Sequence, residues 1–204
     1  TKPLRPNKHL YGQAFALYAL AEYHLATDDD QALDLAHRLF DTLERSAHDR
    51  QHGGYYEYFT RDWRPVPPDE GTYMGIAGVK LMNTHLHLME AMTTYALASE
   101  RPLARTRLAE LMEIQSNTVV RKSYGFCTDK YRPDWTPMLA PPHNVVSYGH
   151  DIENVWLLMD ARRALALPQA PLVDLYRTLW DYSIEYGLDA ERGGLYYTGP
   201  FHAP

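Results

Sequence analysis

The chain has one cysteine, Cys127, in 204 residues, so no internal disulfide can form and a reducing compartment is expected. It has no apolar run approaching the roughly 18 residues of a membrane helix. It has no basic cluster: 20 Lys+Arg stand against 26 Asp+Glu, a formal net charge of −6. Nucleic-acid and membrane-surface partners, which need clustered Lys and Arg, are therefore not expected. No apolar stretch follows Thr1-Lys2-Pro3-Leu4-Arg5, so no signal peptide is expected there, and the missing initiator Met reads as an internal cut. These absences point to a cytoplasmic protein. Phosphate-loop, dinucleotide, CxxC and GxSxG words are absent as well.

Phenylalanine is scarce and tyrosine is not: 5 Phe against 16 Tyr, with 4 Trp and 10 His. Side chains with an apolar body and a polar tip suit a wet pocket for a polar ligand. Packing between elements is the plainer reading. With 45% apolar and 23% charged residues the composition is that of a globular chain, and its length predicts one domain or two small ones.

The chain repeats itself. Apolar-periodic stretches at Leu10–Ala26, Lys80–Ala98 and Val146–Leu165 predict helices, and each is followed by a second at Asp29–Ala47, Leu103–Ser116 and Pro171–Tyr186. Phe15, Tyr18, Ala19, Glu22 and Leu25 mark the stripe of the first. Leu33, Ala36, Leu39, Phe40 and Leu43 mark that of the second, with Asp34, Arg38, Asp41, Glu44 and Arg45 on its wet side. Asp28-Asp29-Asp30 and Ser99 read as helix-start caps, and Pro102 and Pro171 as first-turn prolines. After each second helix comes an aromatic word with glycine: Gly53-Gly54-Tyr55-Tyr56-Glu57-Tyr58-Phe59, Tyr124-Gly125-Phe126-Cys127 and Gly193-Gly194-Leu195-Tyr196-Tyr197. These predict short strands or hairpins. The unit helix, helix, aromatic hairpin, three times over, predicts an all-α fold. It is an α/α toroid in which the nearly all-apolar first helices line the centre, and residues 1–204 form one such domain. Three pairs make an arc with exposed end faces, so self-association through those faces, or a place in a longer protein, is expected.

Each inner helix opens on polar residues: His9-Leu10-Tyr11-Gly12-Gln13, then Asn83-Thr84-His85-Leu86-His87, then Ser147-Tyr148-Gly149-His150-Asp151-Ile152-Glu153. In a toroid these ends converge on one cavity. Asn83 and His87, at i, i+4, share a helix face, and His85 points away. A His-x-His pair on a helix cannot hold one metal on one face, so no metal is expected. His150 and Glu153 share a face at i, i+3, and a carboxylate beside an imidazole prepares a general acid or base. A plainer reading makes this a capped helix start, with Ser147 as cap and Asp151 favoured by the helix dipole. It leaves His150 unexplained.

His24, His37, His48 and His52 read as solvent-facing. Cys127 reads as unreactive, with no His or carboxylate at a telling spacing, and Met74, Met82, Met89, Met92 and Met159 read as core fillers. Pro67-Pro68-Asp69-Glu70-Gly71 reads as a loop. A glycoside hydrolase would need two facing carboxylates, for which Glu57, Asp62, Asp151 and Glu153 are the candidates.

Asn83-Thr84-His85-Leu86-His87-Leu88-Met89-Glu90-Ala91 and Tyr148-Gly149-His150-Asp151-Ile152-Glu153 resemble signature words of cellobiose 2-epimerases, within the N-acylglucosamine 2-epimerase superfamily. Lys8-His9-Leu10-Tyr11-Gly12-Gln13-Ala14-Phe15 agrees as well. So does Gly53-Gly54-Tyr55-Tyr56-Glu57, followed by Arg61-Asp62-Trp63. The resemblance implies an (α/α)6 barrel of which this chain is about half, and a mono- or disaccharide as substrate. It implies inversion at C2 of a reducing-end aldose through a cis-enediolate, with no redox cofactor or metal. It implies His150 as one proton-transferring group, Glu153 positioning it, His87 assisting, and Asn83 and Tyr11 holding the sugar. The second such histidine is expected beyond Pro204. Mannose-type aldose–ketose isomerases and N-acylglucosamine 2-epimerase itself are the alternatives inside the superfamily. A catalytically incomplete fragment is another.

Overall fold

The two alternating kinds of helix become three consecutive helix pairs. The computed structural model describes residues 4, 6–67, 71–72 and 75–202; Met74 and the Pro68-Asp69-Glu70 part of the expected loop lie outside them. In chain order the first elements are β1 (Lys8–His9), α1 (Leu10–Thr27), α2 (Asp30–Ser46), β2 (Tyr58–Phe59), β3 (Gly71–Thr72), β4 (Gly75–Ile76) and β5 (Lys80–Leu81). Then come α3 (Met82–Ala98), α4 (Pro102–Glu113), β6 (Val120–Arg121), β7 (Phe126–Cys127), β8 (Lys130–Tyr131) and β9 (Val145–Val146). The last are α5 (Tyr148–Ala164), α6 (Val173–Gly187) and β10 (Gly199–Pro200). A π-helical turn at Ile114–Thr118 extends α4. Among the described residues no helix is long and apolar enough to cross a membrane.

Local chemistry marks two of the helix starts. The Asp29 carboxylate accepts from the amides of Gln31 (2.8 Å) and Ala32 (3.4 Å), a cap of the kind that contributes about 1 kcal/mol. Pro102 opens α4, where its missing N–H costs nothing. Pro171 lies in a 3-10 turn, Ala170–Leu172, that leads into α6. Two expected caps fail. Ser99 ends α3 instead of starting α4, whose cap position is Arg101. Ser147 precedes α5, but its hydroxyl makes no capping bond.

Inner helices α1, α3 and α5 pack side by side, and α2, α4 and α6 each pack on the outside of their own partner. This is an arc of an α/α toroid. α3, in the middle, is buried nearly all round, from Met82 and Leu86 to Met92 and Tyr95. α1 buries only the stripe Leu10, Ala14, Leu17, Ala21. Phe15, Ala19, Glu22 and Leu25, which mark its stripe in the sequence, are exposed, and Tyr18 is half-buried. A helix apolar on every side does not announce which face will be covered. α2 does announce it: Ala36, Phe40 and Leu43 are fully buried, and Asp34, Arg38, Asp41 and Arg45 are exposed. Glu44 departs from that wet side, because Arg107 Nε holds its carboxylate at 2.7 Å. Met82, Met89 and Met92 fill the core, and Met159 packs against it.

Each pair is closed by a two-residue strand ladder that the sequence does not suggest. The strand ahead of the inner helix pairs with the strand after the outer one: β1 with β2, β5 with β8, β9 with β10, all antiparallel. Only the second aromatic word forms a local hairpin joining consecutive strands, β6 with β7. The third, Gly193 to Tyr197, makes a single bridge, Leu188 to Leu195. Turns recur with the units. The Trp63 amide bonds the Thr60 carbonyl and the Trp135 amide bonds the Arg132 carbonyl, and both tryptophans take a left-handed φ, 65° and 66°.

Candidate active site

Helix length and strand pairing bring the inner-helix starts into register. The second residues are Tyr11, Asn83 and Gly149; the sixth are Phe15, His87 and Glu153; His150 is third on α5. All five expected site residues therefore lie within the first two turns of three neighbouring helices.

They fall into two adjoining groups. Tyr11 and Phe15 of α1 pack against His87 of α3, with ring centroids 5.2 Å and 5.0 Å from the imidazole. His87 Nδ1 lies 3.0 Å from Glu90 Oε2, which fixes the ring's orientation. Asn83, on the same face of α3, lines one cavity of about 280 Å³ with His150, Asp129, Lys130 and Ser147. The Asn83 Oδ1 atom is buried and has no hydrogen-bond partner. A buried amide oxygen without a partner is an acceptor available to a ligand hydroxyl. His150 also borders an open groove of about 520 Å³ with Glu153, Trp156, Tyr196 and Tyr197. The carboxylate bonded to a site histidine is thus Glu90 on His87; Glu153 shares the groove with His150 without an ion pair to it among the described residues. Glu90 was overlooked in the sequence, although its i, i+3 spacing from His87 was there to be read.

Beneath His150 the packing is polar and closed. Both Asp151 oxygens accept from the Cys127 amide at 3.2 Å, and Asn154 Nδ2 donates to the Gln115 carbonyl at 2.9 Å. Burial pushes the Asp151 carboxyl up to about 8, against the pull of that amide. Asp151, favoured by the helix dipole in the plainer reading of the sequence, is an internal acceptor. Cys127 does have a carboxylate neighbour, in space and not in sequence. Burial, then Asp151, push its thiol well up, against the thiolate form that reacts.

His85 faces away from Asn83 and His87, as its spacing predicts, and is fully buried. Its Nδ1 donates to the Leu81 carbonyl (2.7 Å) and its Nε2 accepts from the Tyr55 amide (2.9 Å), so both ring nitrogens are used by the backbone. Burial lowers it to about 4, leaving it neutral. Three other histidines differ from expectation. His48 is nearly enclosed and bonds Glu110 at 3.1 Å; His37 bonds the Tyr95 hydroxyl at 2.7 Å; His24 is half-buried and bonds the Asp29 carbonyl. Only His52 of the four is exposed.

The carboxylates do not form a glycosidase pair. Glu57 is buried where the first and second pairs meet, accepting from the Leu81 amide (2.9 Å), and Asp62 is exposed beside Arg64. Asp151 is enclosed, which leaves only Glu153 in the groove. Among the described residues no three His, Cys, Asp or Glu side chains converge as a metal site.

The family model for N-acylglucosamine 2-epimerase (GlcNAc 2-epimerase) matches residues 1–202. The cellobiose 2-epimerase of Bacteroides fragilis is 36% identical over 165 residues, 80% of this chain and 41% of that protein. The Dictyoglomus turgidum enzyme of the same name is 33% identical over 162 residues, 79% of this chain and 40% of its own. Among solved structures, cellobiose 2-epimerase from Spirochaeta thermophila superimposes with a TM-score of 0.83 at 37% identity, over 98% of this chain and 49% of that one. A D-mannose isomerase at 22% identity and a TM-score of 0.80 shares the fold. The chain spans about two fifths of the length of the curated relatives and half that of the solved ones. Its three helix pairs are about half of an (α/α)6 barrel, and the chain belongs to the N-acylglucosamine 2-epimerase family.

Proposed function

We propose that this chain carries part of the active site of a sugar 2-epimerase that inverts C2 of a reducing-end aldose, as in cellobiose. The observation behind it is His150, an imidazole opening onto both a cavity with an unpartnered amide oxygen and a groove lined by Trp156 and tyrosines. Aromatic faces and a few convergent polar groups suit a sugar ring.

In the open-chain aldose the C2 hydrogen is acidified by the neighbouring aldehyde. The His150 imidazole takes that proton. The C–H electron pair forms the C1–C2 double bond, and the aldehyde oxygen becomes an enediolate oxygen. Returning a proton to the opposite face restores the aldehyde with C2 inverted, and the ring closes. An imidazole suits the step because it serves as base in one direction and acid in the other near neutral pH. Asn83 and Tyr11 hydrogen-bond the sugar and the enediolate, Glu153 positions His150, and His87, held by Glu90, assists.

Removal and return of a proton on one face needs one base; inversion needs a second group on the other face. Proton NMR of the chain with cellobiose in deuterated water should therefore show loss of the reducing-end glucose H2 signal. His150→Asn should slow that loss by about 100- to 10,000-fold. A mannose-type H1 signal appears only where a second acid is present. No exchange, or exchange indifferent to His150→Asn, would overturn the proposal.

A further inference from the structure

Three histidines stand at the starts of α3 and α5, and each is held differently. His85 is pinned by the backbone at both ring nitrogens, donating from Nδ1 to the Leu81 carbonyl and accepting at Nε2 from the Tyr55 amide. His150 opens on the cavity and the groove without a carboxylate partner among the described residues, so its ring can carry the hydrogen on either nitrogen. His87 is held at one nitrogen. Its Nδ1 lies 3.0 Å from Glu90 Oε2. A carboxylate accepts and cannot donate, so the neutral ring carries its hydrogen on Nδ1. The lone pair is then on Nε2, which no described residue bonds. The Tyr11 and Phe15 rings flank the imidazole at 5.2 Å and 5.0 Å and limit its rotation.

The Glu90 carboxylate has its own support one layer further in. The inner helices keep their register beyond the site. Their ninth residues are Tyr18, Glu90 and Trp156, and their thirteenth are Glu22, Thr94 and Asp160. All six line one cavity of about 410 Å³. The Thr94 hydroxyl donates to Glu22 at 3.0 Å, which leaves Tyr18 as the hydroxyl beside Glu90. Burial, then Glu90 and Glu22, push the Tyr18 hydroxyl up, so it keeps its proton and has a carboxylate to offer it to.

We propose that Glu90 is a positioning residue that keeps the His87 hydrogen on Nδ1 and turns the Nε2 lone pair to the sugar, with Tyr18 steadying the carboxylate from behind. His87 therefore meets a sugar hydroxyl as acceptor or base, and donates only after it has taken up a proton. His150, with no such partner, stays free to act in both directions. The role of His87 toward a sugar rests on the epimerase reading; its tautomer rests on the contacts alone.

Long-range nitrogen–proton NMR of the histidine-labelled chain, at about pH 8 and so above the ordinary histidine value, tells the two nitrogens of each ring apart. His87→Gln identifies the His87 signals by their loss. Free histidine in water favours the Nε2–H form. His87 should show the Nδ1–H form, and Glu90→Leu should move it to the free-histidine ratio. Glu90→Gln keeps an acceptor oxygen and should retain part of the Nδ1–H form. Tyr18→Phe should fall between the parent and Glu90→Leu. His85, fixed by the backbone of the same helix, reports the fold and should stay Nδ1–H in every variant. A parent His87 in the Nε2–H form, or an Nδ1–H form that survives Glu90→Leu with His85 intact, would overturn the proposal. A Tyr18→Phe spectrum identical with the parent would overturn the part given to Tyr18. Loss of the cellobiose H2 signal is read separately: a chain that shows the Nδ1–H form and no exchange fails as an epimerase while Glu90 still sets the tautomer.

Discussion

The two junctions inside this arc share a backbone plan and differ in chemistry. In both, the fourth residue of an inner helix accepts an amide from the preceding pair: His85 from Tyr55, and Asp151 from Cys127. At the first junction that acceptor is a neutral imidazole beside the buried Asp49–Lys80 ion pair. At the second it is a buried carboxyl with no ion pair among the described residues, and Arg121 and Val145 replace Asp49 and Lys80. The repeat fixes where an acceptor is needed, and either residue type meets the need. The price differs: each acceptor resists a different end of the pH scale.

The largest expected difference lies in the ion pair. Asp49→Ala leaves the Lys80 ammonium buried with two carbonyls and no counter-charge, and removes the oxygen that accepts from the Gln51 and His52 amides. Breaking a buried pair from one side costs about 3–5 kcal/mol. Arg121→Ala at the second junction removes a half-buried guanidinium bonded to the Thr118 carbonyl, worth about 3 kcal/mol at most. Urea unfolding of both variants measures the gap. Equal costs would mean that the Asp49–Lys80 pair contributes nothing beyond a hydrogen bond.

The next difference is in sign. His85 falls from 6.5 to about 4 in the fold, so between those values the unfolded chain binds the extra proton. Stability tied to His85 is present above 6.5 and lost as pH falls through 4. Asp151 rises from 3.8 to about 8, so in that window the folded chain binds the extra proton. Its contribution is full below 3.8 and lost as pH rises through 8. Glu57, also raised by burial, shares the sense of Asp151. Thermal melts from pH 5 to 9 should therefore show His85→Gln flattening the acid limb and Asp151→Asn the alkaline limb. If Asp151→Asn altered only the acid limb, the carboxyl would be ionised in the fold.

These differences were only partly legible in the sequence. The helix pairs were, because α2 and its counterparts carry many residues at a readable period. The closing ladders were not, because strands of two residues have no alternation and their partners stand about 50 residues away. The face of α1 was misread because its apolar residues surround the helix. The row of helix starts holding Tyr11, Asn83 and His150 was expected from the repeat. The junction residues were missed for one reason: His48 reads as solvent-facing, and Lys80, Asp49 and Glu110 carry no local signal, until a distant segment encloses them.

The smallest expected effect separates strain from crowding. Gly54, at the first junction, has φ +71°, and a Cβ there would stand 2.5 Å from the Trp135 ring and 2.9 Å from His85 Nε2. Gly125, at the second, has φ +90°, and its Cβ would meet Thr178 Cγ2 at 3.3 Å. Gly194, in the uncovered third turn, has φ +83° and nothing within 4 Å. Alanine at each position bears the left-handed cost of about 1–2 kcal/mol. Gly194→Ala should show that alone, Gly125→Ala slightly more, and Gly54→Ala the most, because neither Trp135 nor His85 can retreat without breaking its bond to the first pair. Unfolding midpoints in urea give the order. Equal losses at all three would mean the first junction tolerates a methyl group, and that its glycine is kept for backbone angle rather than for close approach.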